Sequence, residues 1–361
     1  MSFQLARVLA GYQPVHYLPD GLVLWRRGVL YRADLALDRI ERLCALPTPH
    51  ALLTRFAPAI VARILRAGIR SSAMIDDDIL LVAQRGTIFA VSISRGEWWI
   101  DFGIPDGRRL LSLSIIETEA DARTACFGDY FHNRHGAAVG VWRRTPGRDG
   151  TWTRSAEFAP GQVEHIHAVT QTRDGRVWVL GGDLGAAAGL WRSDPALEEL
   201  TAMATGAQAY RACWLWQAPD GVCHYATDSN VELNRLMHFA GAGPIQSGVP
   251  LRGSSIYGGA GETYVAFSTS VEPGEPTGNI LRDFSTRRPG PGIVGDMADI
   301  HVIEQGRLST ILSARADGWP LRLAQFATFS FPGGTLPADR FHAFGRAVHG
   351  YDGACLLFER G

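Results

Sequence analysis

Segments that recur at a fixed spacing, abundant glycine and tryptophan, and no long apolar run together predict an all-β protein of repeated four-stranded units, a β-propeller. The recurrence is clearest in HIHAVTQTRDGRVWVLGGD from His165, AYRACWLWQAPDGVCHYATD from Ala209 and SSIYGGAGETYVAFSTSVE from Ser254. Each has a polar start, an apolar strand, a turn carrying glycine, a second apolar strand and a closing carboxylate. By their numbering, the carboxylates Asp183, Asp228 and Glu272 lie 45 and 44 residues apart, and the strand starts His167, Arg211 and Ser255 are 44 apart. A repeat of about 40–50 residues holding four strands is what a propeller blade requires, because one blade cannot bury both of its faces alone.

Taken in order, the chain opens on strand-like segments including GLVLWRRG (21–28), which are expected to pair with the last strands of the chain. Residues 51–67, ALLTRFAPAIVARILRA, place apolar side chains at helical spacing before Gly68, with Thr54 as a cap and Pro58 tolerable in a first turn. One short helical insertion is therefore expected there, with Arg55, Arg63 and Arg66 on a solvated edge; a lid over a ligand is the alternative. Residues 70–105 (ILLVAQRG, TIFAVSIS, EWWIDFG) and 108–160 extend the strand pattern, and the three aligned hairpins follow. Outer strands share an aromatic-Arg signature: LYRAD at Leu30, VWRRT at Val141 and LWRSD at Leu190, with NRLMHF at Asn234 a looser relative. Residues 297–331 read as another set, and HAFGRAV with GACLLFER supply two strands lacking partners of their own. The count is seven four-stranded blades, with six as the alternative, in a single domain 1–361 closed by pairing of N- and C-terminal strands.

Composition narrows the function classes. Hydrophobic residues make up 46% and charged residues 20% of the 361-residue chain, a well-packed globular balance. A formal charge of −1 provides no broad pull toward nucleic acid or anionic membrane. The N-terminal MSFQLARVLAGYQP lacks the features of a secretory signal, and no apolar stretch approaches the length of a span, so a cytoplasmic, non-membrane protein is expected. Cys44, Cys126, Cys213, Cys223 and Cys355 show neither CxxC nor zinc-finger spacing and read as buried reduced thiols. Cys213 and Cys223 flank the turn 218–221 and are expected to face each other across a hairpin. Neither G-x-S-x-G, GxxxxGK[ST] nor HExxH is present, which leaves serine hydrolase, P-loop and zincin chemistry without support.

Candidate functional residues follow from blade geometry. An innermost strand begins, and its antiparallel neighbour ends, on the same face, so Tyr130 and Asn133 of GDYFHN, His165, His167, Asp183, Gln208, Tyr210, Arg211, Asp228, Asn230, Tyr257 and Glu272 are expected around one mouth. Strand alternation puts His165 and His167 on one side with Ile166 pointing away. His-x-His presents two imidazoles, ligands suited to zinc, manganese or iron, so His165 and His167 are the residues that would touch a divalent metal if one is used. No cofactor is otherwise required. Arginine offers a fixed fork to a carboxylate, and a phenol of lowered pKa serves as acid, base or nucleophile, which singles out Arg211 and Tyr210; pairing of Arg211 with Asp183 or Asp228 is the purely structural alternative. An aspartate at a strand end also serves simply to accept turn amides.

The run GVWRRTPGRDGTW, with HIHAVTQTRDGRVWVLGGD and GLWRSD, resembles the Asp-box (BNR) repeats of sialidase-like propellers over roughly residues 120–275. Arg148-Asp149-Gly150-Thr151-Trp152 matches the end of the box and Ser193-Asp194 its beginning. The resemblance implies propeller architecture, and a glycan ligand more weakly. It also implies that Arg211 would stand for one sialidase arginine, and Tyr257 or Tyr210 with Glu272 for the nucleophile pair; two further pocket arginines have no counterpart.

The function expected from the sequence is carbohydrate-active: a glycan, anionic in one version, bound at the mouth and cleaved by carboxylate acid/base chemistry. Asp183, Asp228, Glu272, Tyr210 and His167 are the catalytic candidates, and Arg211, His165, Tyr130, Asn133, Gln208, Tyr257 and Asn230 the substrate-binding ones. The alternatives are a lyase with a His or Tyr base and arginine neutralising a uronate, a glycosyltransferase, and a noncatalytic scaffold for a protein partner.

Overall fold

The computed structural model describes residues 3–47, 59–118, 123–183, 185–241 and 243–361. Among these, 28 strands form seven four-stranded sheets, and the fold is a β-propeller of seven blades. Blade 1 holds the strands β2 (Gln13–Leu18), β3 (Gly21–Arg26), β4 (Val29–Ala33) and β5 (Ile40–Ala45). Blade 2 holds β6 (Ser71–Met74), β7 (Ile79–Gln84), β8 (Thr87–Ser92) and β9 (Glu97–Gly103); blade 3 holds β10 (Leu113–Glu117), β11 (Arg123–Gly128), β12 (Val139–Arg144) and β13 (Trp152–Phe158). Blade 4 holds β14 (Ile166–Gln171), β15 (Val177–Gly181), β16 (Gly189–Ser193) and β17 (Leu200–Thr205); blade 5 holds β18 (Trp216–Gln217), β19 (Val222–Ala226), β20 (Asn234–Ala240) and β21 (Gln246–Leu251). Blade 6 holds β22 (Gly258–Ala260), β23 (Tyr264–Ser268), β24 (Met297–Glu304) and β25 (Arg307–Arg315), and blade 7 holds β26 (Thr328–Ser330), β27 (Arg340–Arg346), β28 (Ala354–Arg360) and the N-terminal β1 (Phe3–Ala10).

Two compact units divide the chain: Met1–Gly68 with Asp228–Leu236 and Ser247–Gly361, and Ile69–Thr227 with Met237–Gln246. Blades 1, 6 and 7 lie in the first and blades 2, 3 and 4 in the second, while blade 5 has strands in each. The first unit is cored by Phe3, Tyr264, Phe341 and Phe358, with Phe341 and Phe358 stacked at 4.8 Å. In the second, Phe102, Phe127, Trp142 and Trp152 interlock across blades 2 and 3.

Burial explains the sequence of each strand. Second strands such as β7 (ILLVAQ) and β15 (VWVLG) are buried along their whole length and read as unbroken apolar runs. Fourth strands such as β9 and β17 are largely exposed and mix polar with apolar residues. The aromatic-Arg signature occupies third strands and marks a repeated irregularity: the register with the fourth strand shifts just before Tyr31, Phe89, Trp142, Trp191 and His301. A bulge there bends the outer strand and raises its twist, which lets a wide side chain fold over the blade. The Asp-box-like segment Arg148–Trp152 sits at the β12–β13 turn. Its anchor is Arg144, which pairs with Asp101 at 2.9 Å and donates to the carbonyls of Thr145, Gly147 and Arg148. In blade 4, Asp194 accepts from the amides of Ala196, Glu198 and Glu199 in the corresponding turn.

The structure corrects several expectations. The strand that pairs with the C-terminal segment is β1, running from Phe3↔Arg360 to Ala10↔Ala354, and GLVLWR is instead the second strand of blade 1. The burial patterns give the reason: β3 is covered on both faces, as an inner strand must be, whereas β1 is largely exposed, as an outermost strand is. Residues 297–331 are not a set of their own, because β24 and β25 complete the blade begun by the Ser254 hairpin, delayed by an insertion over 269–296. That insertion carries a helix that the sequence reading missed, α2 (Ile280–Ser285), capped by Asn279 and too short to show periodicity. The first helix, α1 (Ala59–Ile64), falls inside the expected 51–67; Thr54, Arg55 and Pro58 lie outside the described residues. Arg63 is buried rather than solvated, pairing with Asp317 and with Asp352 at 3.1 Å and donating to the Ala324 carbonyl, while Arg66 is exposed. All five cysteines are buried and none is in a disulfide, but Cys223 pairs in register with Gln217 and does not face Cys213. No helix among the described residues is long and apolar enough to cross a membrane.

Candidate functional site

At one end of blades 3 and 4, beside the turn that enters blade 5, polar side chains converge within the second unit. His165 precedes β14 and His167 is its second residue. The register against β15 shifts between Ile166 and Ala168, so His167 is the extra residue of a bulge, a device that re-aims side chains at strand ends. Both imidazoles face the same side, with their Nε2 atoms 3.0 Å apart. Asp183 follows β15 through Gly181 and Gly182. Gly182 has φ +74°, and a Cβ there would stand 1.5 Å from the Ala187 carbonyl oxygen, so only glycine permits the reversal that brings Asp183 back over the histidines. Its Oδ1 lies 3.2 Å from His165 Nε2, 3.1 Å from His167 Nε2 and 3.2 Å from Arg211 Nη2.

The turn 208–210 and the next residue clamp this group from the blade 5 side. Gln208 Nε2 donates to the Asp183 carbonyl at 2.6 Å, and Arg211 Nη1 donates to the same oxygen at 3.4 Å. The Asp183 amide donates to Glu164 Oε2 at 3.0 Å. Tyr130, held by paired backbone bonds to Arg109, lays its ring 4.3 Å from that of His165, and the Arg70 guanidinium lies 5.9 Å from the Tyr130 ring centre. The histidines are buried, His167 to 2% exposure of its side chain, whereas the Asp183 side chain retains 30% and opens the cluster to solvent.

Its neighbours fix the charge state of Asp183. Burial alone would raise the Asp183 carboxyl, but the charge and hydrogen bond of His165, the hydrogen bond of His167 and the charge of Arg211 outweigh it and hold the acid well below the ordinary carboxylate range. An acid held ionised in this way accepts or coordinates; it does not donate a proton near neutrality. His165 Nδ1 lies 3.3 Å from the Phe131 carbonyl and His167 Nδ1 2.9 Å from the Ala212 carbonyl. A carbonyl can only accept, so both Nδ1 atoms donate and each ring turns its Nε2 toward Asp183.

Of the residues picked out by sequence, His165, His167, Asp183, Arg211, Gln208 and Tyr130 meet here. Tyr210 shares the 208–210 turn, half-buried, with its amide bonded to Ala207. Asn133 is spent on its own loop, exchanging bonds with Ala137 at 2.6 and 2.7 Å. Asp228, Asn230, Tyr257 and Glu272 belong to the other unit. There Asn230 Nδ2 donates to Pro273 O and Glu275 Oε1, the Tyr257 hydroxyl meets Arg346 Nη1 at 3.5 Å, and the Glu272 carbonyl accepts from Gly290. Asp228 is buried. Neighbouring Asp129 is fully buried as a structural acceptor for the Gly140 amide, Trp142 Nε1, Arg108 and Arg154.

Sequence reasoning missed Glu164, although it adjoins His165, and Arg70. It also missed the carbonyls of Phe131 and Ala212, because backbone groups carry no sequence signal. The chain contains no lysine, which removes amine nucleophiles from the chemistry on offer.

With this geometry in view, the comparisons with known proteins bear on architecture. The chain is similar along its whole length to the WD40 β-propeller domain of Doa1, with 10% identity, 97% of that chain covered and a TM-score of 0.57. It is likewise similar to the AfRom2 CNH domain, with 8% identity, 100% of this chain and 97% of that one covered and a TM-score of 0.54. At such identities the likeness defines a class, the β-propellers, and nothing narrower. No protein-family model matches the chain, and no curated protein does.

Proposed function

We propose that the protein binds and transforms a carbohydrate at the cluster of His165, His167, Asp183 and Arg211. The observation that supports this reading most is the pair of imidazole Nε2 atoms set against an ionised carboxylate at a solvent-open blade end. Such a centre takes up a proton or holds a cation beside a bound hydroxyl, which is what glycosidic bond cleavage by elimination or by activated water requires. It suits imidazole-centred chemistry better than a carboxylic acid donor, because Asp183 is kept ionised. Arg211 is committed to Asp183, so in this reading it positions the carboxylate and adds positive potential for an anionic sugar. Tyr130, its ring tilted against that of His165, supplies an aromatic edge for the sugar ring. The test is turnover of neutral and uronate-containing oligosaccharides by the purified protein and by His167→Gln. The reading expects cleavage of one class and a loss of at least a hundredfold in kcat/KM in the variant. Equal activity of the two proteins, or none in the parent across both classes, contradicts it.

A noncatalytic scaffold is the second reading, favoured by α2, where Ile280, Leu281 and Phe284 are exposed by 73%, 83% and 50%. It expects Leu281→Glu to abolish capture of a protein partner and His167→Gln to leave capture untouched.

A further inference from the structure

We infer that His165 Nε2, His167 Nε2 and Asp183 Oδ1 form one face of a binding site for a divalent first-row transition-metal ion. The inference uses the same cluster as the proposed function but stands on a separate property, the grouping of three ligand atoms at metal-binding spacing. Both Nδ1 hydrogens are committed to the Phe131 and Ala212 carbonyls. Three potential ligand atoms, two imidazole nitrogens and one carboxylate oxygen, therefore converge across 3.0, 3.1 and 3.2 Å. A divalent cation placed among them would be held by all three.

The spacing identifies the kind of cation. Ligand atoms about 2.1 Å from a metal stand about 3.0 Å apart on an octahedral face and about 3.4 Å apart in a tetrahedron. The observed triangle is nearer the octahedral face, and two imidazoles with one carboxylate suit manganese, iron, cobalt or zinc rather than calcium or magnesium. The surroundings agree: each imidazole donates its far N–H to a backbone carbonyl, and Arg211 and the Glu164–Asp183 amide contact orient the carboxylate. The exposed flank of Asp183 leaves coordination positions open toward solvent, where a sugar hydroxyl or water would bind and be acidified.

The full-length protein, stripped with EDTA and dialysed, is titrated with Zn(II) by calorimetry and with Co(II) by visible absorption at pH 7.5. One equivalent is expected to bind, with Co(II) bands of low intensity typical of six-coordination. His167→Gln and Asp183→Asn should each weaken binding at least tenfold, while Tyr210→Phe leaves it unchanged. Melting temperatures measured without metal report whether each variant is folded. Absence of binding to the folded parent, or equal affinity in folded His167→Gln, overturns the inference. Metal bound without oligosaccharide turnover removes the proposed function and leaves the site. Full turnover by a folded protein that binds no metal removes the site and leaves the function.

Discussion

At the scale of single residues, charge placement decides what the blade-end cluster can do. Asp183→Asn removes an anion contacted by two imidazoles and one guanidinium, so a loss of about 1–3 kcal/mol in stability at pH 7.5 is expected, read from urea denaturation. A histidine elsewhere governs the acid limit. Burial holds His342 down to about 4, and its Nδ1 meets the Tyr17 hydroxyl at 3.0 Å. Its folded value lies below the unfolded one of about 6.5, so the unfolded chain takes up the proton first. Stability is whole above pH 6.5, falls as the pH drops toward 4 by up to about 3 kcal/mol, and levels off below. His301, also lowered to about 4 by burial, adds a second contribution in the same window. His342→Gln should flatten part of this slope, measured as urea midpoints at pH 7.5 and 4.5; an unchanged slope contradicts the assignment. Asp183 acts lower, since its contribution is lost only as the pH falls through its depressed value. Sequence gave these identities readily, yet not their states: that His167 is a bulge residue, or that Asn133 closes its own loop, depends on register and backbone partners that no spacing encodes.

Among elements, turns that return a chain onto its own blade carry the site. Gly182→Ala places a methyl group against the Ala187 carbonyl at a left-handed position, and a loss of at least about 2 kcal/mol is expected, together with loss of zinc binding because Asp183 is displaced. The α1 contact is the second case. Arg63 holds the helix to Asp317, Asp352 and the Ala324 carbonyl, so Arg63→Met should cost about 2–4 kcal/mol by leaving two carboxylates without their cation. Both are measured by denaturant unfolding. The hairpins from His165 and Ala209 were legible because inner strands bury both faces and must be apolar throughout. The short α2 was not, since six residues with none buried, fixed by Asn279 and Asp283, show no amphipathic period.

For the molecule as a whole, one N-terminal strand finishes a blade made from the other end of the chain. Removing residues 3–10 strips β1 from β28 and bares an edge strand, so the truncated protein should melt well below the parent and aggregate on heating, as followed by light scattering. The 44–45-residue ladder made the propeller legible and favoured seven blades over six, whereas the partner of the C-terminal strands was misassigned because apolar GLVLWR looked more strand-like than the largely exposed FQLARVLA. The most direct test of the functional account is a crystal structure of the protein soaked with manganese and a uronate oligosaccharide. The account predicts an anomalous peak within about 2.3 Å of His165 Nε2, His167 Nε2 and Asp183 Oδ1, with sugar density beside Tyr130. Crystals that show the sugar bound elsewhere and no peak at the histidines would contradict it.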